Sequence, residues 1–522
     1  MVDMGQISTL ADVSRYHARH SAGRVALILD GRETTYGALD AAANQVAHGL
    51  IAAGCAPGDR VAYLAKNSDI YFEIMFGTAK ARGAMVGVNW RLAAPELVFV
   101  LNDSRTRVLF VDRDFYELAE QILPELTTVR TVVALDGDYA DWPAYEDWRS
   151  MHPAHEPGLS ARPDDDVIQL YTSGTTGHPK GVQITNHNYI ATFEAGLSTP
   201  YWHWDADNVN FVCMPLFHVA GVNVGTFGLL QGCRNVVLRE VDVDVILDLI
   251  EAHRINTVFM VPALILGMVH HPRTRKTDLS SLTQVSYGAS PIAEDLLIEA
   301  QKLFKCDFIQ FYGMTETCGV GTYLAPEDHD PAKGKLRSCG KPWPGVDVKI
   351  FDANDREMLQ GDVGEVVIRG EIVMKGYWNR PEATKQSVVN GWMHTGDAGY
   401  FDKDGFLFIY DRVKDMIVSG GENIYPAEGE NALFGHPAIA DVAVIGVPDE
   451  KWGEAVKAIV VLKEGMEASE EEIQEFARER IAGYKVPKSV DFTTELPRNP
   501  SGKILRRALR APFWEGHDRQ VH

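Results

Sequence analysis

The chain has 522 residues, of which 45% are hydrophobic and 23% charged, so it is long enough for more than one domain. Its formal net charge of −22 argues against non-specific binding to nucleic acid but allows a local basic site for an anionic cofactor. The six cysteines form no Cys-x-x-Cys pair, which favours reduced thiols in a cytoplasmic protein over a disulfide framework or a zinc site. The longest apolar run, residues 258–269, contains Pro262 and is too short for a transmembrane segment, whereas peripheral membrane contact stays open.

From about residue 25 to residue 311, short β-rich runs alternate with amphipathic helical runs. This alternation predicts stacked α/β layers with largely parallel sheets. The strands predicted in this part of the chain are 60–64, 108–111, 236–238, 284–287 and 308–311, and the helices are 70–82, 243–253 and 293–304.

From about residue 340 to 411 the pattern changes to short strands with turn signals, at 346–351, 364–369 and 406–410. This predicts a β-rich subdomain of a large N-terminal domain, residues 1–411, with a hairpin turn at 402–405. Residues 412–522 predict a small, separate α+β domain. Its predicted elements are strands at 442–445 and 458–462 and a helix at 470–481 whose acidic first turn suits the helix dipole.

The segment 171–181 is the most informative part of the chain, and it reads Tyr-Thr-Ser-Gly-Thr-Thr-Gly-His-Pro-Lys-Gly. Glycines let backbone N–H groups turn inward, the hydroxyls add donors and Lys180 adds a positive charge, which predicts a polyphosphate-binding loop. The spacing is not that of a Walker A loop. Taken alone, the segment is equally consistent with a flexible surface loop.

Four further motifs follow in order, at 310–316, 392–397, 411–423 and 497–503. The first follows a predicted strand, at the sheet edge where open α/β folds bind ligands. It offers Tyr312 to stack on a base and Glu316 to hold Mg²⁺ against phosphate oxygens. The others offer Asp397 as an acceptor for a ribose diol, and Lys503 as a cation mounted after a tight turn.

With all five motifs in order, the chain resembles the adenylate-forming superfamily, which includes acyl-CoA synthetases, peptide-synthetase adenylation domains and beetle luciferases. The resemblance extends from about residue 10 to residue 510 and points to the acyl-CoA synthetase, or fatty-acid–CoA ligase, branch. It implies an ATP-dependent reaction in which a carboxylic acid joins the α-phosphate of ATP and releases pyrophosphate. The acyl-AMP then reacts with the thiol of CoA. The implied cofactors and co-substrates are ATP, Mg²⁺ and CoA.

The resemblance also implies roles for individual residues. Lys503 would bridge the substrate carboxylate and the α-phosphate, and Lys414 would be the hinge about which the mobile C-terminal domain rotates between the two half-reactions. Thr172 and Glu316 would help to hold Mg²⁺. The remaining implied contacts are Thr172, Ser173, Gly174, Thr175, Thr176, Gly177 and Lys180 to phosphates; Gly288, Ala289, Ser290, Phe311, Tyr312, Gly313, Met314 and Thr315 to the nucleotide, with Tyr312 beside adenine; Asp397 and Arg412 to ribose; and Gly420 and Gly421 to the pantetheine arm.

For the acyl group, the resemblance implies a pocket lined by His218, Val222, Tyr287, Phe311 and Gly313, with His218 beside the reacting carboxylate. A glycine at position 313, where acetate-specific relatives have tryptophan, predicts a pocket larger than acetyl. The two large rings of Tyr287 and Phe311 predict a short- to medium-chain or compact acid. An aryl acid of the benzoate or cinnamate type stays open, as does a long-chain acid.

Three other functions are weighed against this one. A peptide-synthetase adenylation domain is disfavoured because no acidic residue lies near Phe217-His218 and only about twenty residues follow Lys503. A luciferase shares the fold and no motif separates it well. A non-catalytic protein of the same fold is disfavoured by the retention of every motif. Trp452, Tyr484 and Lys485 are consistent with a CoA contact or with ordinary domain packing, and a homodimer is left open.

Overall fold

The computed structural model describes residues 2–172, 179–412, 415–419, 422–424, 426–449, 452–498 and 504–515. The α-helices are α1 Leu10–His20, α2 Tyr36–Ala52, α3 Ile70–Lys80, α4 Ala94–Asp103, α5 Tyr116–Ile122, α6 Tyr145–Ser150, α7 Asn186–Leu197, α8 Val219–Leu230, α9 Val243–His253, α10 Pro262–His270, α11 Glu294–Phe304, α12 Pro381–Ser387, α13 Pro426–Phe434, α14 Glu470–Arg478 and α15 Arg506–Trp514.

The strands are β1 Val25–Leu29, β2 Arg32–Thr35, β3 Arg60–Leu64, β4 Ala84–Gly87, β5 Thr106–Val111, β6 Thr131–Ala134, β7 Asp166–Thr172, β8 Lys180–Thr185, β9 Val209–Val212, β10 Arg234–Val237, β11 Thr257–Met260, β12 Gln284–Gly288, β13 Asp307–Tyr312, β14 Thr322–Leu324, β15 Lys341–Pro342, β16 Asp347–Phe351, β17 Gly364–Arg369, β18 Gly376–Tyr377, β19 Val388–Val389, β20 Trp392–Phe401, β21 Leu407–Arg412, β22 Ile417–Ser419, β23 Glu422–Ile424, β24 Ile439–Asp449, β25 Gly453–Leu462 and β26 Ser489–Thr493.

Two large sheets form the body of the molecule. One has the order β15-β14-β13-β12-β11-β9-β10-β1-β2 and the other the order β18-β8-β7-β4-β3-β5-β6. The central strands of both sheets pair in parallel, as in β12 with β13 and β4 with β7, and antiparallel strands are found towards the ends. The predicted α/β layers with largely parallel sheets are therefore confirmed.

Alternate side chains of each central strand enter different cores, which defines the layers. In β3, Val61 and Tyr63 pack into the large core that also holds helices α1 to α3, while Ala62 and Leu64 pack into a separate outer core. In β9, Val212 enters the same large core, whereas Phe211 enters the outer core on the far side of its sheet. The large core therefore lies between the two sheets, and each sheet is covered on both faces.

The predicted β-rich subdomain is an antiparallel sheet with the order β16-β17-β20-β19, with β21 paired to β20. The hairpin predicted at 402–405 joins β20 to β21. The Asp402 carboxylate accepts hydrogen bonds from the backbone N–H groups of Asp404 and Phe406, both at 2.9 Å, and Gly405 has φ +80°. An aspartate that caps the turn and a glycine in the left-handed region together explain why this sequence turns here.

The last sheet has the order β23-β22-β25-β24, with β26 parallel to β25. Its core is formed by residues of these strands and of helices α13 and α14. Helix α14 begins with Ser469 as its N-cap in a capping box with Glu472, and it ends at Arg478, three residues before the predicted end. The pairing partners change between Arg412, which pairs with β20, and Ile417, which pairs with β23.

Over the part of the chain that the structure describes, no helix is long and apolar enough to cross a membrane. All six cysteines are free thiols, and four of them are buried. Burial raises the pKa of the Cys55 thiol to about 11, so this half-buried side chain stays protonated at neutral pH.

Candidate active site

Thr172 and Glu316, predicted to share a metal ion, lie side by side. Thr172 is the last residue of β7, in one sheet, and Glu316 follows β13, in the other. The Thr172 hydroxyl lies 3.5 Å from Oε1 of Glu316. Glu316 is only 5% exposed, so its carboxyl group is preorganised in a site that is largely shielded from water.

The predicted phosphate loop connects β7 to β8, and it therefore begins beside Glu316. Strands β7 and β8 pair antiparallel, with Thr172 opposite Lys180. Lys180 and Thr172 thus lie at the base of the loop, on neighbouring strands. The predicted phosphate contacts Ser173, Gly174, Thr175, Thr176 and Gly177 lie outside the described residues.

The predicted adenine contacts lie at the carboxyl ends of two neighbouring parallel strands. Gly288 ends β12 and pairs with Phe311 of β13, next to Tyr312. A Cβ at Gly288 would lie 2.4 Å from the Phe311 carbonyl oxygen, so only glycine fits there. Ala289 adopts φ +69°, a left-handed conformation that costs energy for a residue with a side chain. Such strain is typical of ligand-binding turns.

Tyr312 and the predicted ribose ligand Asp397 form one unit. The Tyr312 hydroxyl donates a hydrogen bond to Oδ2 of Asp397 at 2.8 Å. Burial and the nearby carboxylate raise the pKa of Tyr312 well above its ordinary value, so the phenol remains a donor. Asp397 lies opposite Arg412 in the β20–β21 ladder, although the Arg412 side chain is outside the described part. The remaining nucleotide contacts, Met314, Thr315 and Ser290, are half-buried on the same turns.

His218 is the N-cap residue of α8, at the start of a helix that is buried along most of its length. The preceding loop is fixed by Asn67, whose amide donates to the Met214 carbonyl at 3.0 Å and accepts from the Leu216 N–H at 2.9 Å. Burial, together with the positive charge of Arg91, lowers the pKa of His218 to about 4. Its Nε2 is buried and has no hydrogen-bond partner among the described residues. At neutral pH this imidazole is therefore uncharged, with one nitrogen left for a ligand.

The structure does not bring Tyr287 and Phe311 to one pocket wall. Tyr287 pairs with Gln310, and Phe311 pairs with Gly288, so the two rings point to opposite faces of the sheet. Tyr287 is 0% exposed in the outer core that also holds Phe211, and its hydroxyl donates to Nε2 of His329 at 3.0 Å. The expectation that both rings shorten the acyl pocket is therefore wrong for Tyr287, because strand alternation turns it away.

Phe311 lies instead in an aromatic cluster. Its ring stacks on Phe259 with centroids 6.1 Å apart and meets Trp202 at 5.2 Å and Trp343 at 5.5 Å. The Phe311 ring is half-buried and packs against both the large core between the sheets and the outer core that holds Phe211. That Phe311 lines the acyl pocket stays a prediction.

Two smaller residues of the predicted pocket are packed against the protein itself. Val222 is fully buried in the large core between the two sheets. A Cβ at Gly313 would lie 2.5 Å from the backbone carbon of Gly319, so the glycine is required by the close approach of two chain segments. The interpretation that Gly313 leaves room for an acyl chain lacks support, because its missing side chain points at this backbone.

In the C-terminal part, Lys503, Lys414, Gly420 and Gly421 all lie outside the described residues. Trp452 and Tyr484 are 42% and 44% exposed. Lys485 is held within its own domain by Glu428, at 2.7 and 2.8 Å from the two carboxylate oxygens. A CoA contact by these three residues stays a prediction.

One side chain of this site, that of Tyr377, could not be predicted from the sequence. Tyr377 donates a hydrogen bond from its hydroxyl to Oε1 of Glu316 at 2.8 Å, across 61 residues of chain. Its neighbours Gly376 and Trp378 suggest only a buried turn. The contact depends on β18 joining the edge of the sheet next to β8, which no local pattern reveals.

Comparison with known proteins places this geometry in a family. A family model described as AMP-binding enzyme matches residues 14–378, and one described as AMP-binding enzyme C-terminal domain matches residues 428–503. The fatty acid–[acyl-carrier-protein] ligase ScoC of Streptomyces coeruleorubidus is 41% identical over 520 residues, which is 99% of each chain. The long-chain-fatty-acid–CoA ligase FadD13 of Mycobacterium tuberculosis is 39% identical, over 92% of this chain and 93% of its own.

Among solved structures, the anthranilate CoA ligase AuaEII in complex with anthranoyl-AMP superimposes with a TM-score of 0.91 at 27% identity, covering 97% of this chain and 98% of that one. The arrangement of the sheets therefore has a counterpart in a known ligase. Members of the acyl-CoA synthetase branch of the adenylate-forming superfamily are AMP-forming acid–thiol ligases. The chain belongs to the AMP-binding enzyme family and to this branch of the superfamily.

Proposed function

We propose that this chain activates a short- to medium-chain or otherwise compact carboxylic acid with ATP and transfers the acyl group to CoA. The observation that carries the proposal is the meeting of Thr172 with Glu316 from two different sheets, next to the Tyr312–Asp397 pair. A metal–phosphate site and a nucleoside site at adjoining strand ends suit an enzyme that must hold a whole nucleotide.

The residues around Glu316 fit Mg²⁺. A buried carboxylate and a hydroxyl are hard oxygen donors, and Mg²⁺ commonly takes one or two carboxylates and completes its shell with substrate phosphates and water. When bound, the cation would neutralise phosphate charge, while Thr172 and Glu316 orient it.

For the nucleoside, we assign the ribose hydroxyls to Asp397 and Arg412, and adenine to Tyr312 beside Gly288, Ala289 and Ser290. The Tyr312 hydroxyl holds Oδ2 of Asp397 at 2.8 Å, and a carboxylate kept in one orientation is a strong acceptor for ribose hydroxyls.

In the first half-reaction, the substrate carboxylate attacks the α-phosphate and pyrophosphate leaves, with Lys503 neutralising charge on both reacting groups. His218, neutral at physiological pH, would lie beside the carboxylate as a hydrogen-bonding group and not as a cation. In the second, the thiol attacks the acyl carbonyl and AMP leaves. Rotation of the domain after residue 411 about Lys414 would withdraw Lys503 and bring Gly420 and Gly421 to the thiol arm.

The acyl preference rests on the aromatic cluster around Phe311, which includes Trp202, Phe259 and Trp343. A wall of large rings leaves little room for a long chain, and interiors do not yield to several extra methylenes, so we expect roughly three to eight carbons. A flat aryl acid is the second candidate, because it could stack against the same rings and the similar structure AuaEII is an anthranilate ligase.

A second thiol acceptor is favoured by one observation. ScoC, which is 41% identical over 99% of this chain, is named a ligase for an acyl-carrier protein. CoA and a carrier protein present the same phosphopantetheine thiol, so the chemistry above serves either. We further propose a cytoplasmic location, where ATP and CoA are available. Sedimentation velocity would distinguish a monomer from a homodimer.

The test is a pyrophosphate-release assay with straight-chain acids from acetate to palmitate and with benzoate- and cinnamate-type acids. Each acid is measured without a thiol, with CoA and with phosphopantetheinylated carrier protein. We expect acyl-AMP formation without a thiol and turnover with CoA for compact acids. An optimum at twelve carbons or above would contradict the substrate proposal. Turnover with the carrier protein and none with CoA would show that the carrier protein is the acceptor in place of CoA.

A further inference from the structure

Tyr377 is tied to Glu316 through both its side chain and its neighbouring backbone. The phenol donates to Oε1 of Glu316 at 2.8 Å, the same oxygen that lies 3.5 Å from the Thr172 hydroxyl. Three residues earlier, the Met374 N–H donates to the Glu316 carbonyl at 2.8 Å. Tyr377 is 7% exposed and Glu316 is 5% exposed, so water competes little for this hydrogen bond.

The ring of Tyr377 is fixed to the base of the phosphate loop as well. Strand β18 pairs with β8, with Tyr377 opposite Val182, and the next N–H, that of Trp378, donates to the Gly181 carbonyl at 2.8 Å. The Tyr377 N–H donates to the hydroxyl of Thr384, at 2.9 Å, in the following helix α12. The backbone on both sides of the ring is therefore held by the strand that begins with Lys180.

The same ring faces the loop lysine. Nζ of Lys180 lies 4.8 Å from the centroid of the Tyr377 ring, within the range of a cation–π interaction. One aromatic side chain thus touches two groups that the proposed function uses: the carboxylate that orients the metal ion and the cation that meets the phosphates. The hydroxyl serves the first group and the ring face serves the second.

We propose that Tyr377 is a positioning residue for adenylation, which sets the Glu316 carboxylate by its hydroxyl and the Lys180 ammonium by its ring. This inference rests on the proposed function of that site. A carboxylate with one oxygen engaged by a phenol keeps a single orientation, and Glu316 would meet the cation in that orientation. Preorganisation of this kind lowers the cost of assembling metal and phosphates.

The experiment measures ATP–pyrophosphate exchange against Mg²⁺ and against ATP for wild type, Tyr377→Phe and Tyr377→Leu. Tyr377→Phe keeps the ring and loses the hydroxyl, so the Mg²⁺ concentration at half-maximal rate should rise about tenfold, as for loss of one hydrogen bond to a charged group, with little change in KM for ATP. Tyr377→Leu also loses the ring face, so KM for ATP should rise about threefold in addition. Thioester formation from supplied acyl-AMP should be unchanged in both variants.

Tyr145→Phe is the matched control. Tyr145 is buried as well, with 0% exposure, and its hydroxyl also donates to a glutamate, Oε2 of Glu73 at 2.7 Å, between helices α6 and α3. Its loss should lower thermal stability while leaving the Mg²⁺ titration as in wild type. Equal shifts in Tyr145→Phe and Tyr377→Phe would overturn the inference, because general loosening of the fold would then explain both.

Glu316→Gln separates failure of this inference from failure of the proposed function. A shifted Mg²⁺ titration in Glu316→Gln with an unshifted one in Tyr377→Phe would overturn the positioning role and leave the metal site in place. No shift in either variant would overturn both. In the double variant, the shifts should be less than multiplicative if Tyr377 acts through Glu316.

Discussion

Phe311 and Tyr287 offer a sharp test of the substrate site, because they lie one strand apart and point in opposite directions. Replacing Phe311 with alanine removes a half-buried ring from the aromatic cluster. If the acyl chain ends there, two further methylenes can be buried, at about 0.8 kcal/mol each, or about 1.6 kcal/mol together. This corresponds to an increase of about fifteenfold in kcat/KM for an acid two carbons longer than the wild-type optimum.

Tyr287→Leu provides the comparison. Tyr287 is fully buried in the outer core, and its hydroxyl is the donor to Nε2 of His329, whose Nδ1 donates to the Ala325 carbonyl at 2.8 Å. The substitution leaves a small cavity and an imidazole nitrogen without a donor, and it should lower the free energy of unfolding by about 2–4 kcal/mol. The chain-length profile should not change, since the side chain faces away from the site.

The assay is kcat/KM for straight-chain acids from acetate to palmitate, with urea unfolding of each variant alongside it. A Phe311→Ala profile that superimposes on wild type would remove Phe311 from the acyl wall. A Tyr287→Leu profile shifted to longer acids would show that the argument from strand alternation is wrong.

Three further predictions concern charge. Lys503→Ala should slow acyl-AMP formation by a hundredfold or more, about 3 kcal/mol, while thioester formation from supplied acyl-AMP persists; equal loss in both assays would contradict the domain rotation. Glu316→Gln should raise the Mg²⁺ concentration needed for adenylation, and an unchanged titration would exclude Glu316 from the metal site. Burial lowers the pKa of His329 from 6.5 to about 4, so the unfolded chain binds this proton first on acidification, and His329 alone should lower stability by about 2 kcal/mol between pH 7 and pH 5. His218 contributes a loss of the same kind, so His329→Gln should make the fall smaller by this amount without abolishing it, as measured by urea unfolding at the two pH values; an equally steep fall would assign the effect to other groups.

Local pattern in the sequence was enough to identify most of the elements that frame the site. The strand 60–64 and the helix 243–253 have the predicted bounds, and β12 and β13 extend their predictions by one or two residues. Helical and strand periodicities are properties of consecutive residues, and they can therefore be read without the fold. The same holds for the chemistry of the motifs, because Glu316, Asp397 and Lys180 belong to short segments whose composition already points to phosphate and ribose.

Long-range pairing, by contrast, was decided by the tertiary structure alone. Sequence placed Tyr287 and Phe311 on one wall, whereas the register of β12 with β13 turns them to opposite faces. The missing side chain of Gly313 predicts a pocket larger than acetyl, whereas the backbone of Gly319 occupies the space that a Cβ at Gly313 would need. Tyr377 had no signal at all, because its contact with Glu316 exists only once β18 has joined the edge of the sheet next to β8. A sequence shows which groups a chain has, but the direction in which a side chain points, and what it meets there, depends on strand register and on segments far away in the chain.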